Sequence, residues 1–329
     1  MSSDELVTVM IPARDEERFI GRCLDAVRKQ DYVNLQIVVV DGASTDGTLE
    51  VVEDQMAADD RIELVHNPLH SIPISLNLGL AAARGRWLVR IDAHSTVDES
   101  YVRLAVDRLE QGLWGGVGGR KDGVGETAAG LAIAAALHSR FGVGNSVYHH
   151  GVTAQEVDHV PFGAYPAELV RELGGWNEQL PVNEDYEFDY RVRQAGHRLL
   201  FDPALRIRWR SRQSIPGVFA QYRRYGRGKV DVALLHPDSM RPRHFVPPAL
   251  VAYLAGTVLI SWRHPRRLLL LNTPYLLGLA AASVQTARRL ETPAERAYVP
   301  LAFSAMHIGW GLGFWSAVRS AVAKRLLHR

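Results

Sequence analysis

The sequence predicts an α/β protein, with a central, mostly parallel sheet covered by helices and an apolar helical region after it. Three observations carry this. β-rich runs alternate with segments of helical period through the first hundred or so residues, the pattern of right-handed βαβ units. Two of those runs end in an acid, Asp41 and Asp92. Beyond Arg243 the composition turns apolar. The chain has 329 residues, enough for one large α/β domain or two smaller ones, and its 47% apolar and 22% charged residues are those of a folded protein. A net charge of +2 gives no bulk attraction for nucleic acid. One cysteine, Cys23, excludes an internal disulfide framework. The N-terminus has no basic start followed by a long apolar stretch, so no signal peptide is expected.

The elements follow in order. LVTVMIP is β-rich and stops at Pro12, which cannot donate to a ladder. EERFIGRCLDAVRKQ places Phe19, Ile20, Cys23, Leu24 and Val27 at helical spacing, with Cys23 as a buried structural thiol. Ile37 to Val40 is a fully apolar strand that ends at Asp41. A turn rich in Gly, Ser and Asp leads into the helix TLEVVEDQMA, and Asp46 in it is expected to bond nearby backbone N–H groups. RIELVHN is a third strand, SIPISLNLGLAAARG a third helix closed by Gly85, and RWLVRID a fourth strand. WGGVGGRKDGVG is a Gly-rich strand and loop. In NEDYEFDYRVRQAG, Phe188, Val192 and Ala195 recur at helical spacing. A helix starting there sets Glu184 and Asp185 at its positive N-terminal end, and pairs Arg191 with an acid of its own.

Three uncharged runs follow, Phe245–Trp262, Leu268–Ala287 and Ala297–Val318, each close to the roughly 20 residues that span a bilayer. RHPRR, ARRLETPAER and AKRLLHR flank them, so every connection is basic and the positive-inside rule gives no alternation. Pro247, Pro248, Pro274 and Pro300 also disfavour straight spans. In-plane or re-entrant membrane helices account for this better than three crossings. A helical subdomain packed on the rest of the protein is the plain alternative.

In open α/β sheets, ligands bind outside the carboxyl ends of the strands. Pro12 to Glu16, Asp41, and Asp92-Ala93-His94 are all at such ends, so they are expected to meet in one crevice. No G-x-G-x-x-G follows the first strand, and YGRGKV lacks the Ser or Thr and the spacing of a phosphate-binding loop. These absences count against a nicotinamide dehydrogenase and a P-loop kinase. QSIPGVFAQYRRYGRGK is basic and aromatic, but a single such cluster at near-zero net charge makes a poor nucleic-acid surface.

Taken in order, VMIPARDEERFIGRCLDAV, IVVVDGASTDGT, a strand-end acid motif and NEDYEFDYRVRQAG resemble family 2 glycosyltransferases of the GT-A fold, over residues 5–230. RIDAH in place of the usual Asp-x-Asp, with QYRRYGRGK downstream, resembles the succinoglycan-type branch that builds bacterial exopolysaccharides. Asp15 stands where the family often has Asn, and Gly42 where it often has a second Asp. The resemblance implies that Pro12, Ala13, Arg14 and Glu16 border the base and ribose of a UDP-sugar and that Asp41 contacts the uracil or ribose. It places a divalent metal, Mn²⁺ or Mg²⁺, at Asp92, with His94 as a second ligand or as a hydrogen-bonding group only. One carboxylate is enough for an ion held mainly by phosphates and waters. It makes Asp185 the base that takes the acceptor proton and gives Glu184 an orienting role. Gln221, Arg224 and Tyr225 resemble the element that closes over diphosphate and acceptor, with Gly226 and Gly228 allowing it to move or to approach the ligand closely. Gly163, Ala164 and Tyr165 would line the cleft floor, and His159 is expected to be structural.

The expected organisation is a GT-A domain over residues 1–243, with a nucleotide-sugar half (1–98) and an acceptor half (99–243), then an apolar membrane-associated region (244–329). The expected activity is inverting transfer from a UDP-sugar to a lipid-linked saccharide or nascent polysaccharide, at the cytoplasmic face of the membrane and without nucleic acid. Two other classes share parts of the pattern: a non-catalytic subunit that binds nucleotide or polysaccharide, and a nucleotidyltransferase of the same fold. The second usually has a Gly-rich basic loop after the first strand, and IPARDEERFI has no glycine before Gly21.

Overall fold

A computed structural model describes residues 5–327. Its first half alternates strand and helix: β1 (Val7–Ala13), α1 (Ile20–Arg28), β2 (Leu35–Asp41), α2 (Thr48–Ala58), β3 (Ile62–His66), α3 (Ile72–Ala82) and β4 (Trp87–Arg90). Then come β5 (Ser95–Val97), α4 (Tyr101–Leu109), β6 (Gly116–Val124), α5 (Ala128–Leu137), α6 (Arg140–Val143), β7 (Gln155–Val157), β8 (Ala164–Pro166), α7 (Ala167–Glu172), α8 (Glu184–Gln194) and β9 (Leu199–Arg210). Four helices complete the chain: α9 (Ile215–Leu235), α10 (Val246–Ser261), α11 (Pro265–Ala287) and α12 (Pro293–Leu327).

The strands form one sheet in the order β3-β2-β1-β4-β8-β6-β9-β5, with β7 paired to β9. The pairs β3–β2, β2–β1 and β1–β4 are parallel, whereas β4–β8, β8–β6, β5–β9 and β7–β9 are antiparallel. The sheet is therefore mixed, and its parallel half is the part that the βα alternation announces. Val7, Val9, Ile11, Ile37, Val38 and Val39 are wholly buried, as strands covered on both faces require. Met10, Leu76, Leu88, Trp176, Phe188 and Leu199 join β1, α3, β4, α8 and β9 into one core cluster.

Gly85 differs from its expected role. Helix α3 ends at Ala82, and Gly85 has no left-handed φ. Its N–H donates to Thr8 Oγ1 at 2.9 Å, and a Cβ there would stand 2.8 Å from the Leu6 carbonyl. The glycine serves a close approach to β1, not a helix cap.

By backbone packing the chain divides into two compact units. One comprises residues up to Asp122 with His150–Trp209; the other comprises Gly123–His149 with Arg210–Arg329. The second thus takes in residues 210–243 as well as the apolar region. Within it α12 is the central helix, with Val299, Ala302, Phe303 and Met306 fully buried. The third apolar run of the sequence is therefore largely a packing surface. A Cβ on Gly226 would strike the Trp310 carbonyl, and one on Gly313 the Arg223 carbonyl. Gly226 and Gly228 are buried in α9, so Gly226 is there for close contact of α9 with α12 and not for mobility. Helix α10 with its preceding turn (Pro242–Ser261) and α11 are long and apolar enough to cross a membrane, and α11 offers no buried apolar window. Leu259, Trp262, Leu269, Leu270 and Leu277 on them are mostly exposed.

Candidate active site

Parallel pairing aligns Ala13 with Asp41, and Met10 with Arg90, so the carboxyl ends of β1, β2 and β4 lie side by side. The first two ends are laced together. Asp15 Oδ1 accepts from Thr45 N–H at 2.8 Å, and the Asp15 N–H donates to Ser44 Oγ at 3.0 Å. Asp15 and Ala43 both adopt left-handed backbone, with φ of 54° and 57°, which Asp tolerates better than most residues. Asp41 is buried, and its carboxylate accepts from Ser44 N–H at 3.2 Å. Asp46 accepts from the N–H groups of Thr48 and Glu17 and from Thr48 Oγ1, so it closes the turn as its sequence context predicts. Pro12 is half-buried, Ala13 buried, and Arg14 exposed beside Asp15.

At the end of β4, Arg90 joins two acids. Its Nε is 3.2 Å from Asp92 Oδ1 and its Nη1 is 3.1 Å from Glu184 Oε1. Arg90 is buried, and burial opposes its charge, but Asp92, Glu184 and Asp185 outweigh that and raise its pKa. An ion pair at this depth stands only while each charge keeps its partner. Arg90 is the last residue of β4 and Asp92 follows two residues on, whereas Glu184 is brought to Arg90 from α8.

Asn183, just before helix α8, is left-handed with φ of 64°. Glu184, Asp185 and Glu187 fill its first turn, where the helix end favours negative charge. Glu184 is buried, and burial with the neighbouring Asp185 charge pushes its carboxyl up to about 7, against the pull of Arg90. Asp185 behaves oppositely. Burial disfavours its ionisation, but His159, Arg90, the Tyr186 N–H and Lys121 together hold its pKa below the ordinary value. Asp185 Oδ1 accepts that N–H at 2.7 Å, and Oδ2 lies 3.8 Å from His159 Nε2. Lys121 stands 3.8 Å from the centre of the Trp209 ring and 4.5 Å from that of Phe162, a cation held by aromatic faces. Arg191 pairs with Glu187 at 2.8 Å, within its own helix.

His94 has both ring nitrogens engaged. Trp209 Nε1–H donates to His94 Nε2 at 2.9 Å, so Nε2 is the acceptor and Nδ1 carries the proton toward Glu16 Oε1, also at 2.9 Å. Among the described residues no three His, Cys, Asp or Glu side chains are grouped to hold a metal. Asp92 still suits a hard divalent cation. Its Oδ1 faces Arg90 and its side chain is 19% exposed, and a single carboxylate of this kind would be enough for an ion held mainly by other oxygens.

Gln221, Arg224 and Tyr225 belong to the second unit, on α9. Gln221 is buried and its Nε2 donates to Tyr225 Oη at 3.1 Å, while Arg224 is exposed. Gly163, Ala164 and Tyr165 are buried, and Tyr165 turns into the core, where its hydroxyl donates to Asp189 Oδ1 at 2.8 Å. Lys121, Trp209 and the His159–Asp189 pair carried no distinguishing sequence signal, because segments far apart in the chain bring them together.

The family model for glycosyl transferase family 2 matches residues 8–146. The chain is 30% identical over 329 residues to succinoglycan biosynthesis protein ExoA of Rhizobium meliloti (strain 1021), covering 96% of this chain and 97% of that one. It is 24% identical over 233 residues, 68% of this chain and 72% of the other, to the dolichyl N-acetyl-α-D-glucosaminyl phosphate 3-β-D-2,3-diacetamido-2,3-dideoxy-β-D-glucuronosyltransferase of Methanococcus voltae. Among solved structures, the mannosyltransferase PcManGT of Pyrobaculum calidifontis, in complex with GDP-Man and Mn²⁺, superposes with a TM-score of 0.57. It is 23% identical, over 96% of this chain and 86% of that one. TarS 1–349 of S. aureus with UDP-GlcNAc gives a TM-score of 0.55 at 16% identity, over 95% of this chain and 92% of that one. With its strand-end acids, its α8 carboxylates and a relative matched nearly end to end, the chain belongs to glycosyltransferase family 2 and is a glycosyltransferase of the GT-A fold.

Proposed function

We propose that the chain transfers glucose or a related hexose from a UDP-sugar, with inversion, to a lipid-linked saccharide or nascent exopolysaccharide at the cytoplasmic membrane face. The observation that carries this is Asp185, held ionised at the first turn of α8 and linked through Glu184 and Arg90 to Asp92. An ionised carboxylate there is suited to accept the proton of an acceptor hydroxyl. The acceptor oxygen bonds to the anomeric carbon as the bond to UDP breaks, the proton passes to Asp185, and UDP leaves. Asp92 would hold the divalent ion, Mn²⁺ or Mg²⁺, whose charge neutralises the leaving diphosphate when bound. His94 would join that ion only if Trp209 released its Nε2. Asp41, with Pro12, Ala13, Arg14 and Glu16, would border the nucleoside. The exposed apolar faces of α10 and α11 suit a lipid surface, with Arg263, Arg266 and Arg267 at their junction placed for headgroups.

The test is UDP release by purified protein with membrane lipid, across UDP-hexoses, with GDP-mannose as the contrasting nucleotide, with Mn²⁺ or chelator. Metal-dependent UDP release is expected, with Asp185→Asn lower by about 10²- to 10⁴-fold. Full activity in Asp185→Asn would overturn the base assignment. Pyrophosphate release would point to a nucleotidyltransferase, and metal-independent UDP binding without turnover to a binding subunit.

A further inference from the structure

We propose that His159, held by Asp189, is a positioning residue that fixes the Asp185 carboxylate for proton abstraction. This rests on the reading of Asp185 as the base. Asp185 and Asp189 are four residues apart on α8, so their carboxylates share one helix face, where like charges repel. His159, from the chain before β8, comes between them. Its Nδ1 lies 2.7 Å from Asp189 Oδ2 and its Nε2 lies 3.8 Å from Asp185 Oδ2. Its ring packs edge-on to Tyr186 at 5.6 Å.

Asp189 is built to hold that ring in one orientation. It is fully buried and accepts three hydrogen bonds: His159 Nδ1 and the Val160 N–H at Oδ2, each at 2.7 Å, and the Tyr165 hydroxyl at Oδ1, at 2.8 Å. A carboxylate between Phe188 and Tyr190 in the core costs desolvation that an apolar residue there would avoid. Its anchoring makes Nδ1 the donor and turns Nε2 toward the base. Asp185 then has Oδ1 on the Tyr186 N–H and Oδ2 in charge contact with the imidazole. The other charged or titratable groups of this cluster are Glu184 on α8, Arg90 from β4, Lys121 from β6 and Tyr165 from β8.

Two readouts test this, one without turnover. In His159→Gln, kcat for UDP release with the donor and lipid acceptor used by the unaltered chain should fall about 10- to 100-fold, the scale of a misplaced catalytic group. Donor KM should stay within about twofold. The acidic limb of the pH–rate profile should move to higher pH, because a positive neighbour of Asp185 is gone. Asp189→Asn should lower kcat in the same way, and the double variant should be no worse than the worse single one. Separately, the His159 imidazole, assigned in NMR spectra by its loss in His159→Gln, should titrate at lower pH in Asp185→Asn. A kcat within about twofold of the unaltered chain with an unmoved acidic limb would overturn the proposal. An unmoved His159 titration in Asp185→Asn would do the same. If Asp189→Asn does not fold, the His159→Gln and Asp185→Asn arms decide. An unaltered chain that releases no UDP defeats the base reading, and the NMR arm still decides whether His159 and Asp185 are coupled.

Discussion

At the scale of single residues, the site is a balance of charges in a poorly hydrated place. Arg90 is its hub, since it faces Asp92 on one side and Glu184 on the other. Arg90→Met should unfold more readily, by about 3–5 kcal/mol in urea denaturation, because two buried or half-buried acids lose their partner. A smaller loss would mean that water replaces the guanidinium. Glu184 supplies a pH signature. Its carboxyl titrates at about 7 in the folded chain against an ordinary 4.5, so the folded state binds the proton more tightly. That contribution to stability is complete below the ordinary value and is lost as pH rises through about 7. Glu184→Gln should remove this loss, which denaturant midpoints across the window would register as a flatter profile than that of the parent. Identical profiles would deny the raised pKa. The acids themselves were legible in the sequence, since NEDYEFDY and RIDAH put them at a helix start and a strand end. Two partners that set the charge of Asp185 were not legible, because Lys121 arrives from β6 and His159 from the chain before β8.

At the scale of elements, local pattern and packing divide the work differently in the two units. The apolar runs of β1 and β2 and the period of α1 fix those elements almost alone, and their bounds lie within a few residues of the expected ones. The antiparallel half is harder to read. Its strands β5, β7 and β8 are three residues each, too short to show a period of two, and they form because neighbours already present the pairing edge. Glycines misled for a related reason. Gly85 looked like a helix stop and Gly226 like a point of movement or of close approach to a ligand, whereas each lets backbone come close to backbone. Gly226→Val should therefore cost about 1–3 kcal/mol through overpacking of α9 on α12, read as a fall in thermal midpoint. Unchanged stability with altered turnover would restore the hinge.

At the scale of the whole molecule, the exposed apolar faces of α10 and α11 predict where the protein resides. Replacing Leu269, Leu270 and Leu277 by Ser should move the chain from the membrane pellet to the soluble fraction after cell lysis. Retention in the pellet would assign the attachment to another surface. The sequence by itself determined the family-level chemistry: strands ending in acids, a helix opening on Glu184 and Asp185, and an apolar C-terminal third. Each is a local signal, carried by residues close in the chain. Only the tertiary structure decided that Arg90 bridges Asp92 to Glu184, that Trp209 occupies the His94 nitrogen a metal would need, and that the third apolar run is a packing helix. Those outcomes depend on which side chains meet across long loops, and burial then sets their charge. Local sequence periodicity carries no record of either.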